Sequence, residues 1–215
     1  VTDVVNVSDG NALAGRTSSD ISYTAGVTDT FANIVAAGTG AVSSGMAAID
    51  AKDADVNVTV SGTQANVTSA NVTDLNALLA ATTGTVTATI DGNVAQLSSV
   101  TSNASSAATN ALTIVVDDVA TAAQGAAIAD STSIATVDFS AAGVSDTFAN
   151  IVAAGTGAVS ANMAKIDAKD PNVNVTVSGT QPNVTSANVT DLNALLEATT
   201  GTVTATIDGN VAQLK

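Results

Sequence analysis

Short runs in which aliphatic residues alternate with Asn or Thr recur along this chain. Val56-Asn57-Val58-Thr59-Val60 and Thr85-Val86-Thr87-Ala88-Thr89-Ile90 are the clearest. Leu112-Thr113-Ile114-Val115-Val116 and Ile134-Ala135-Thr136-Val137 are likewise rich in β-branched residues. A period of two in such residues predicts strands. Behind each run the apolar spacing lengthens towards 3.6. Phe31, Ile34 and Val35 follow Asp29 and Thr30, either of which is placed to cap a helix, and Met46 and Ile49 mark a second helical piece. Thr73 precedes Asp74-Leu75-Asn76-Ala77-Leu78-Leu79, whose leucines fall at i, i+3 and i+4, and Gly84 is the expected left-handed stop. Val119 to Ala129 is Ala-rich and reads as helical, whereas Ser98 to Asn110 reads as a poor helix or a loop.

One eight-residue phrase punctuates this alternation. Val27-Thr28-Asp29-Thr30-Phe31-Ala32-Asn33-Ile34 returns, in varied form, from Val60, Ile90, Val116, Val144, Val177 and Ile207, with a weak version from Val7. From Val27 onward the starts are spaced 33, 30, 26, 28, 33 and 30 residues. A near-constant period of this size is the mark of a repeat architecture. A longer repeat overlies it: residues 26–97 and 143–214 differ at eight positions, among them Ala54/Pro171, Ala65/Pro182 and Ala80/Glu197. Tyr23 and Phe139 correspond just upstream.

One strand and one helix per period predicts an α/β fold, a repeat solenoid of strand-helix units of about 30 residues with a parallel sheet. The alternative is two immunoglobulin-like β-sandwiches, one per long repeat. The domains expected from the phrase are a partial N-terminal unit at 1–26, a first four-unit repeat at 27–143 and a second, truncated repeat at 144–215. Strand ends are expected near each phrase start, stacked in sequence order. Val1-Thr2-Asp3-Val4-Val5 shares Thr, Val and Val in register with Leu112-Thr113-Ile114-Val115-Val116. Head-to-tail contacts are therefore expected, one copy's N-terminal strand completing another copy.

Composition narrows the chemistry. Hydrophobic residues make up 46% of the chain and aromatic ones 2%, so the core must be built from Val, Ile, Leu and Ala. Net charge is −14, with Arg16, Lys52, Lys165, Lys169 and Lys215 as the basic residues, which makes a phosphate backbone a poor partner. With neither Cys nor His, thiol chemistry, thiolate or imidazole zinc sites and His-based acid–base work are excluded. No apolar run approaches the ~20 residues of a membrane span, so no membrane insertion is expected. The chain opens without an initiator Met or a signal-type segment and reads as a mature product or part of something longer.

Stacking the phrase gives candidate columns. Its seventh position reads Asn33, Asn66, Gln96, Asn150, Asn183 and Gln213. Side-chain amides in one column can satisfy turn backbone and bond to each other, a structural ladder. Its third position sets Asp118 against Asp146 and Asp9 against Asp29. Carboxylates ~5 Å apart repel by roughly 3 kcal/mol at an effective dielectric near 20. They serve either as helix caps or as ligands of a hard cation, calcium being the possible cofactor. Thr85, Thr87 and Thr89, with their copies at Thr202 to Thr206, could place hydroxyls on a flat face of the ice-binding kind, but such a face needs the array on most coils and here it appears on one coil in four. Asp50, Lys52, Asp53 and Asp167, Lys169, Asp170 are the groups an enzyme would use. Their recurrence at one spacing in both copies reads as surface turns, and no catalysis is expected.

The stretches VTDTFANI, DLNALLAATTGTVTATIDG and VDDVATAAQ resemble the Ala/Thr/Val/Asp-rich tandem repeats of giant secreted bacterial surface proteins, notably marine and cyanobacterial ones. That resemblance implies export, tandem arrays, and adhesion or surface-layer roles, often with calcium. The expected function is an extracellular structural module of a surface layer, fibre or giant adhesin that self-associates into a filament or layer. A calcium- or glycan-binding adhesive module is the alternative.

Overall fold

The computed structural model describes residues 1–101, 110–139, 141–210 and 212. The chain opens with helix α1 (Val7–Ala14), strand β1 (Val27–Asp29) and the one-turn helix α2 (Phe31–Ile34). A hairpin of two-residue strands, β2 (Val35–Ala36) and β3 (Ala41–Val42), leads to helix α3 (Ser44–Asp50). Strand β4 (Val58–Gln64), helix α4 (Ser69–Ala81), strand β5 (Val86–Gly92), helix α5 (Val94–Leu97) and strand β6 (Ala111–Val116) follow. Next come helix α6 (Ala122–Ala129) and strands β7 (Ile134–Asp138) and β8 (Val144–Thr147). Helix α7 (Phe148–Ile151), the hairpin β9 (Val152–Ala153) and β10 (Ala158–Val159), and helix α8 (Ala161–Asp167) repeat the earlier pattern. Strand β11 (Val175–Gln181), helix α9 (Ser186–Ala198) and strand β12 (Val203–Ile207) complete it. These elements group into two compact units, Val1–Ile114 with Ser131–Ala135, and Val115–Asp130 with Thr136–Lys215.

The fold is mixed α/β with a five-stranded parallel sheet in the order β1-β4-β5-β6-β7. Its registers place Val27, Val58 and Val86 side by side, a buried column. Thr28, Thr59 and Thr87 form the adjoining row. In the second unit the order is β12-β11-β8, and Val144, Val175 and Val203 repeat the column. The sequence order of the strands is thus kept within each sheet, and helices stand between successive strands. Parallel pairing of this kind rules out the antiparallel sandwiches of the alternative. Two antiparallel pairs were not foreseen: β2 with β3 and β9 with β10, folded about Gly38-Thr39-Gly40 and its copy.

Helix starts follow local side-chain chemistry. Ser43 and Ser160 accept from the backbone N–H groups of Met46 and Met163. Helix α4 begins five residues before the expected site. Thr68, not Thr73, is its cap: the Thr68 hydroxyl accepts from the Asn71 N–H while Asn71 Oδ1 accepts from the Thr68 N–H. Thr73 instead sits inside the helix and donates to the Ser69 carbonyl at 2.9 Å. The helix ends at Ala81, and Gly84 is not a left-handed stop, its φ being outside the positive range. Gly84 is required for another reason: a Cβ there would collide with the backbone carbonyls of Asp55 and Val56.

The duplication reaches further upstream than the sequence identity. Val5 bridges Val27 in parallel, and Ala120 bridges Val144 in the same way. Val7 N–H donates to Asp29, and Ala122 N–H to Asp146. A Cβ on Gly10 would lie 2.6 Å from the Ile49 side chain, and one on Gly125 2.8 Å from Ile166. So α1 and α6 occupy equivalent places, each letting a glycine approach the helix that bears the isoleucine. Val1–Val5 therefore corresponds to Val116–Ala120, which corrects the register expected from its likeness to Leu112–Val116. Within that segment the single residue Val5 bridges β1 of its own unit.

Candidate functional site

Of the expected third-position carboxylates, Asp29 and Asp146 are engaged by hydrogen-bond donors. Asp29 turns one oxygen to the Val7 N–H at 3.0 Å and the other to the Thr30 N–H and the Asn33 amide, both at 2.8 Å. Asp146 does the same with Ala122, Thr147 and Asn150, at 3.1, 2.8 and 2.7 Å. Asp9 belongs to a local cap, accepting from Asn6 Nδ2 while its own N–H donates to Asn6 Oδ1. Asp118 is exposed in the turn after β6. Both oxygens of Asp29 and of Asp146 accept hydrogen bonds. Among the described residues no three Asp or Glu side chains come together to hold a metal ion.

The amides of the expected ladder do not share one set of partners. Asn33 and Asn150 bond to Asp29 and Asp146, as above. Asn66 and Asn183 are exposed at φ +52° and +54°, where asparagine is one of the few side chains tolerated. The buried Oε1 of Gln96 has no hydrogen-bond partner among the described residues. Gln213 lies outside the described residues, as does most of the Ser98 to Asn110 stretch. The phrase does not hold one conformation throughout: it runs into a four-residue helix after β1 and again after β5, but into a left-handed turn after β4.

Asparagine does line the sheet, one strand-start earlier than expected. Asn57 Oδ1 accepts from the Thr85 N–H and Asn174 Oδ1 from the Thr202 N–H, each at 2.8 Å. Buried Asn110 takes the Val86 N–H at 2.9 Å. The hydroxyl row is broader than one strand as well. Thr28, Thr59 and Thr87 run across three strands, matched by Ser145, Thr176 and Thr204. Cross-strand rows of this kind stabilise a sheet face.

The most constrained polar group is one the sequence concealed. Asp74, fully buried on α4, accepts from the Gly38 N–H at 2.6 Å and the Gly40 N–H at 2.8 Å. Asp191 repeats this with Gly155 and Gly157 at 2.7 and 2.8 Å. Gly38 and Gly40 have φ of +74° and +66°, so the loop curls until two N–H groups converge on one carboxylate. The carboxylate is a clamp on the hairpin, with both oxygens occupied.

Of the carboxylates an enzyme would use, Asp50 and Asp167 each keep a buried Oδ1 with no hydrogen-bond partner among the described residues, whereas Asp53 and Asp170 are turned to backbone. Asp53 and Asp170 accept from the N–H groups of Tyr23 and Phe139. The backbone carbonyls of Lys52 and Lys169 accept from Ile21 and Val137. Burial raises the carboxyls of Asp50, Asp53, Asp167 and Asp170 above the ordinary range. The Asp53 charge adds to the effect at Asp50, the Asp55 side chain at Asp53, and the Asp138 and Asp167 charges at Asp170. Burial also raises Asp29 and Asp146, but the hydrogen bonds from Asn33 and Asn150, with those from the backbone, together outweigh it and hold both below that range.

These directions fix a pH profile. A raised carboxyl favours the folded state when protonated, so its contribution is present below the unfolded pKa and lost as pH rises through the folded one. A lowered carboxyl contributes above the unfolded pKa and loses that contribution as pH falls through the folded one. Four groups of the first kind and two of the second predict that thermal stability increases from pH 7 towards the carboxylate range. It should decline again below that range as Asp29 and Asp146 protonate. A melting temperature that falls steadily from pH 7 to 5 would contradict this.

Comparison with protein-family models, with curated proteins and with solved structures finds no match to this chain.

Proposed function

We propose that this chain is an extracellular structural module, a repeat solenoid of strand–helix units that assembles head to tail into a surface layer, fibre or giant adhesin, and that it is not an enzyme. One observation carries this reading: polar side chains buried or half-buried at equivalent places in both units are turned to their own backbone. Asp74, Asp191, Asp53, Asp170, Asp29 and Asp146 each accept backbone N–H groups. Buried Thr82 and Thr199 donate to the carbonyls of Val56 and Val173. A catalytic site needs groups held ready for a substrate, whereas these hold turns and strand ends in place. Near-identity of two long segments fits a role in which repetition itself is used.

The runner-up, a calcium- or glycan-binding adhesive module at the cell surface, draws its support from the exposed threonine row. Among the described residues no helix is long and apolar enough to cross a membrane. Electron microscopy of the purified chain at rising concentration tests the leading reading. Ordered filaments or sheets are expected. Particles that stay monomeric at high concentration would remove it.

A further inference from the structure

The outer side of each parallel sheet carries hydroxyl-bearing residues in register. Thr28, Thr59 and Thr87 stand side by side on β1, β4 and β5, on the face opposite the buried column Val27, Val58 and Val86. A bulge in β4 then brings Thr63 beside Thr89 and starts a second row. Bulges of this kind re-aim side chains where a surface is used. The second unit repeats both rows, with Ser145, Thr176 and Thr204 in one and Thr180 beside Thr206 in the other. Thr59, Thr63 and Thr87 are exposed, as are Thr176, Thr180, Thr204 and Thr206. Threonines elsewhere turn their hydroxyls to the protein. Thr39, Thr73, Thr82 and Thr83 donate to backbone carbonyls, and Thr68 and Thr121 cap helices. The hydroxyls of Thr59, Thr63, Thr87 and Thr89 make no hydrogen bond among the described residues. No charged side chain interrupts the rows, although the chain carries a net charge of −14.

We propose that these threonine rows are an ice-binding face, whose ligand is the ordered water of an ice crystal surface. Spacing is the first reason. Neighbouring strands stand about 4.8 Å apart, and alternate residues of one strand about 6.6 Å apart. Oxygens arrayed at these two intervals approach the repeat of oxygens on the prism faces of ice. Along the sequence the threonines of β5 form only a line. The register sets Thr87 and Thr89 beside Thr59 and Thr63, which turns the line into an array. Stiffness is the second reason. A β-branched side chain is restricted at χ1, so its hydroxyl and methyl keep their places at little ordering cost on binding. Chemistry is the third. The methyl groups exclude liquid water while the free hydroxyls join the lattice, and a charged group there would hold its own hydration shell against it. A sugar surface is the competing occupant, but the rows contain no aromatic ring, carboxylate or amide to grip one.

This face does not depend on the reading of the chain as an assembling module. In the test, a solution of the fluorescently labelled full chain is frozen slowly around a cold probe, and label is measured in the ice and in the remaining liquid. The chain should enter the ice, and unlabelled chain should slow the coarsening of ice grains in a frozen sucrose film. The variant Thr59→Tyr/Thr87→Tyr/Thr176→Tyr/Thr204→Tyr puts a good strand former, too bulky for a flush fit, at four exposed positions. Circular dichroism verifies its fold. Its incorporation into ice should fall at least tenfold. The two double variants, each altering one unit, should fall between, and they keep the test decisive if the fourfold variant misfolds. Exclusion of the unaltered chain from ice, or equal incorporation of the folded variants, overturns the proposal. So does an ice-excluded chain retained on insoluble cellulose or chitin, which would give the rows to a glycan. A chain that stays monomeric and enters ice upholds this face while removing the assembling reading. Filaments that are excluded from ice do the reverse.

Discussion

Asp74→Ala is expected to lower the free energy of unfolding by about 3–6 kcal/mol, as two hydrogen bonds to a charged group at roughly 1.5–3 kcal/mol each would imply. The carboxylate is buried and takes the N–H groups of Gly38 and Gly40 on separate oxygens. Removing it leaves the Gly38 and Gly40 N–H groups without the acceptor that holds them. Asp74→Asn should recover little of the loss. An amide keeps the shape and one acceptor, but turns an NH2 group towards the second N–H. Asp191→Ala should behave alike, because Asp191 repeats the geometry with Gly155 and Gly157. Urea unfolding of the single variants measures the effect. A loss below about 1 kcal/mol would show that water satisfies the hairpin and that the clamp contributes little.

Gly84→Ala is expected to cost at least about 3 kcal/mol, the upper end of what overpacking usually costs. What its Cβ would meet is backbone, the carbonyls of Asp55 and Val56, so no side chain can swing away. The Val56 carbonyl is itself held: Thr82 Oγ1 donates to it at 2.6 Å and accepts from the Gly84 N–H at 3.0 Å. Gly62→Ala is the matched control. It has open space around its Cβ and a φ of +73°, so it should lose only the roughly 1 kcal/mol of a left-handed backbone. If the two variants melt together, the close approach at Gly84 is not what selects glycine there.

Much of the fold was legible because strand signals here are local. The alternation at Val58, Val60, Val86, Ala88 and Ile90 gives both the strands and their buried face, and the recurring phrase gives their order. The helix starting at Ser69 was placed late because Thr73-Asp74 looks like a cap, whereas the working cap pairs Thr68 with an asparagine in place of the usual Glu or Gln. Asp74 is polar in sequence and buried in fact, and its partners lie 34 and 36 residues away. No period or local motif carries that information. The equivalence of α1 and α6 was hidden for a related reason. Geometry there is held by one glycine and by backbone bonds to Asp29 and Asp146, which leave most side chains free to vary. The expected ladders assumed that a repeated phrase repeats its conformation, and the positive φ of Asn66 alone breaks that assumption.

The near-identity of residues 26–97 and 143–214 has a consequence for the folding chain. Each strand of one copy finds two almost indistinguishable partners in the same molecule. Val27 belongs beside Val58, yet Val175 offers the same contacts. Choosing between them falls to chain entropy: closing a loop of roughly 150 residues instead of roughly 30 costs only about 1.4 kcal/mol more, about a tenfold bias. About one early encounter in ten would then join the wrong copies, a trap of the kind that slows proteins built from repeated domains. The elements that can reject such a hybrid are those that diverged. Tyr23 donates its hydroxyl to the Gly10 carbonyl, and its counterpart Phe139 has no hydroxyl to give. The poorly matched flanks, α1 and α6 with their aromatic partners, thereby act as the proofreading marks of an otherwise ambiguous sequence.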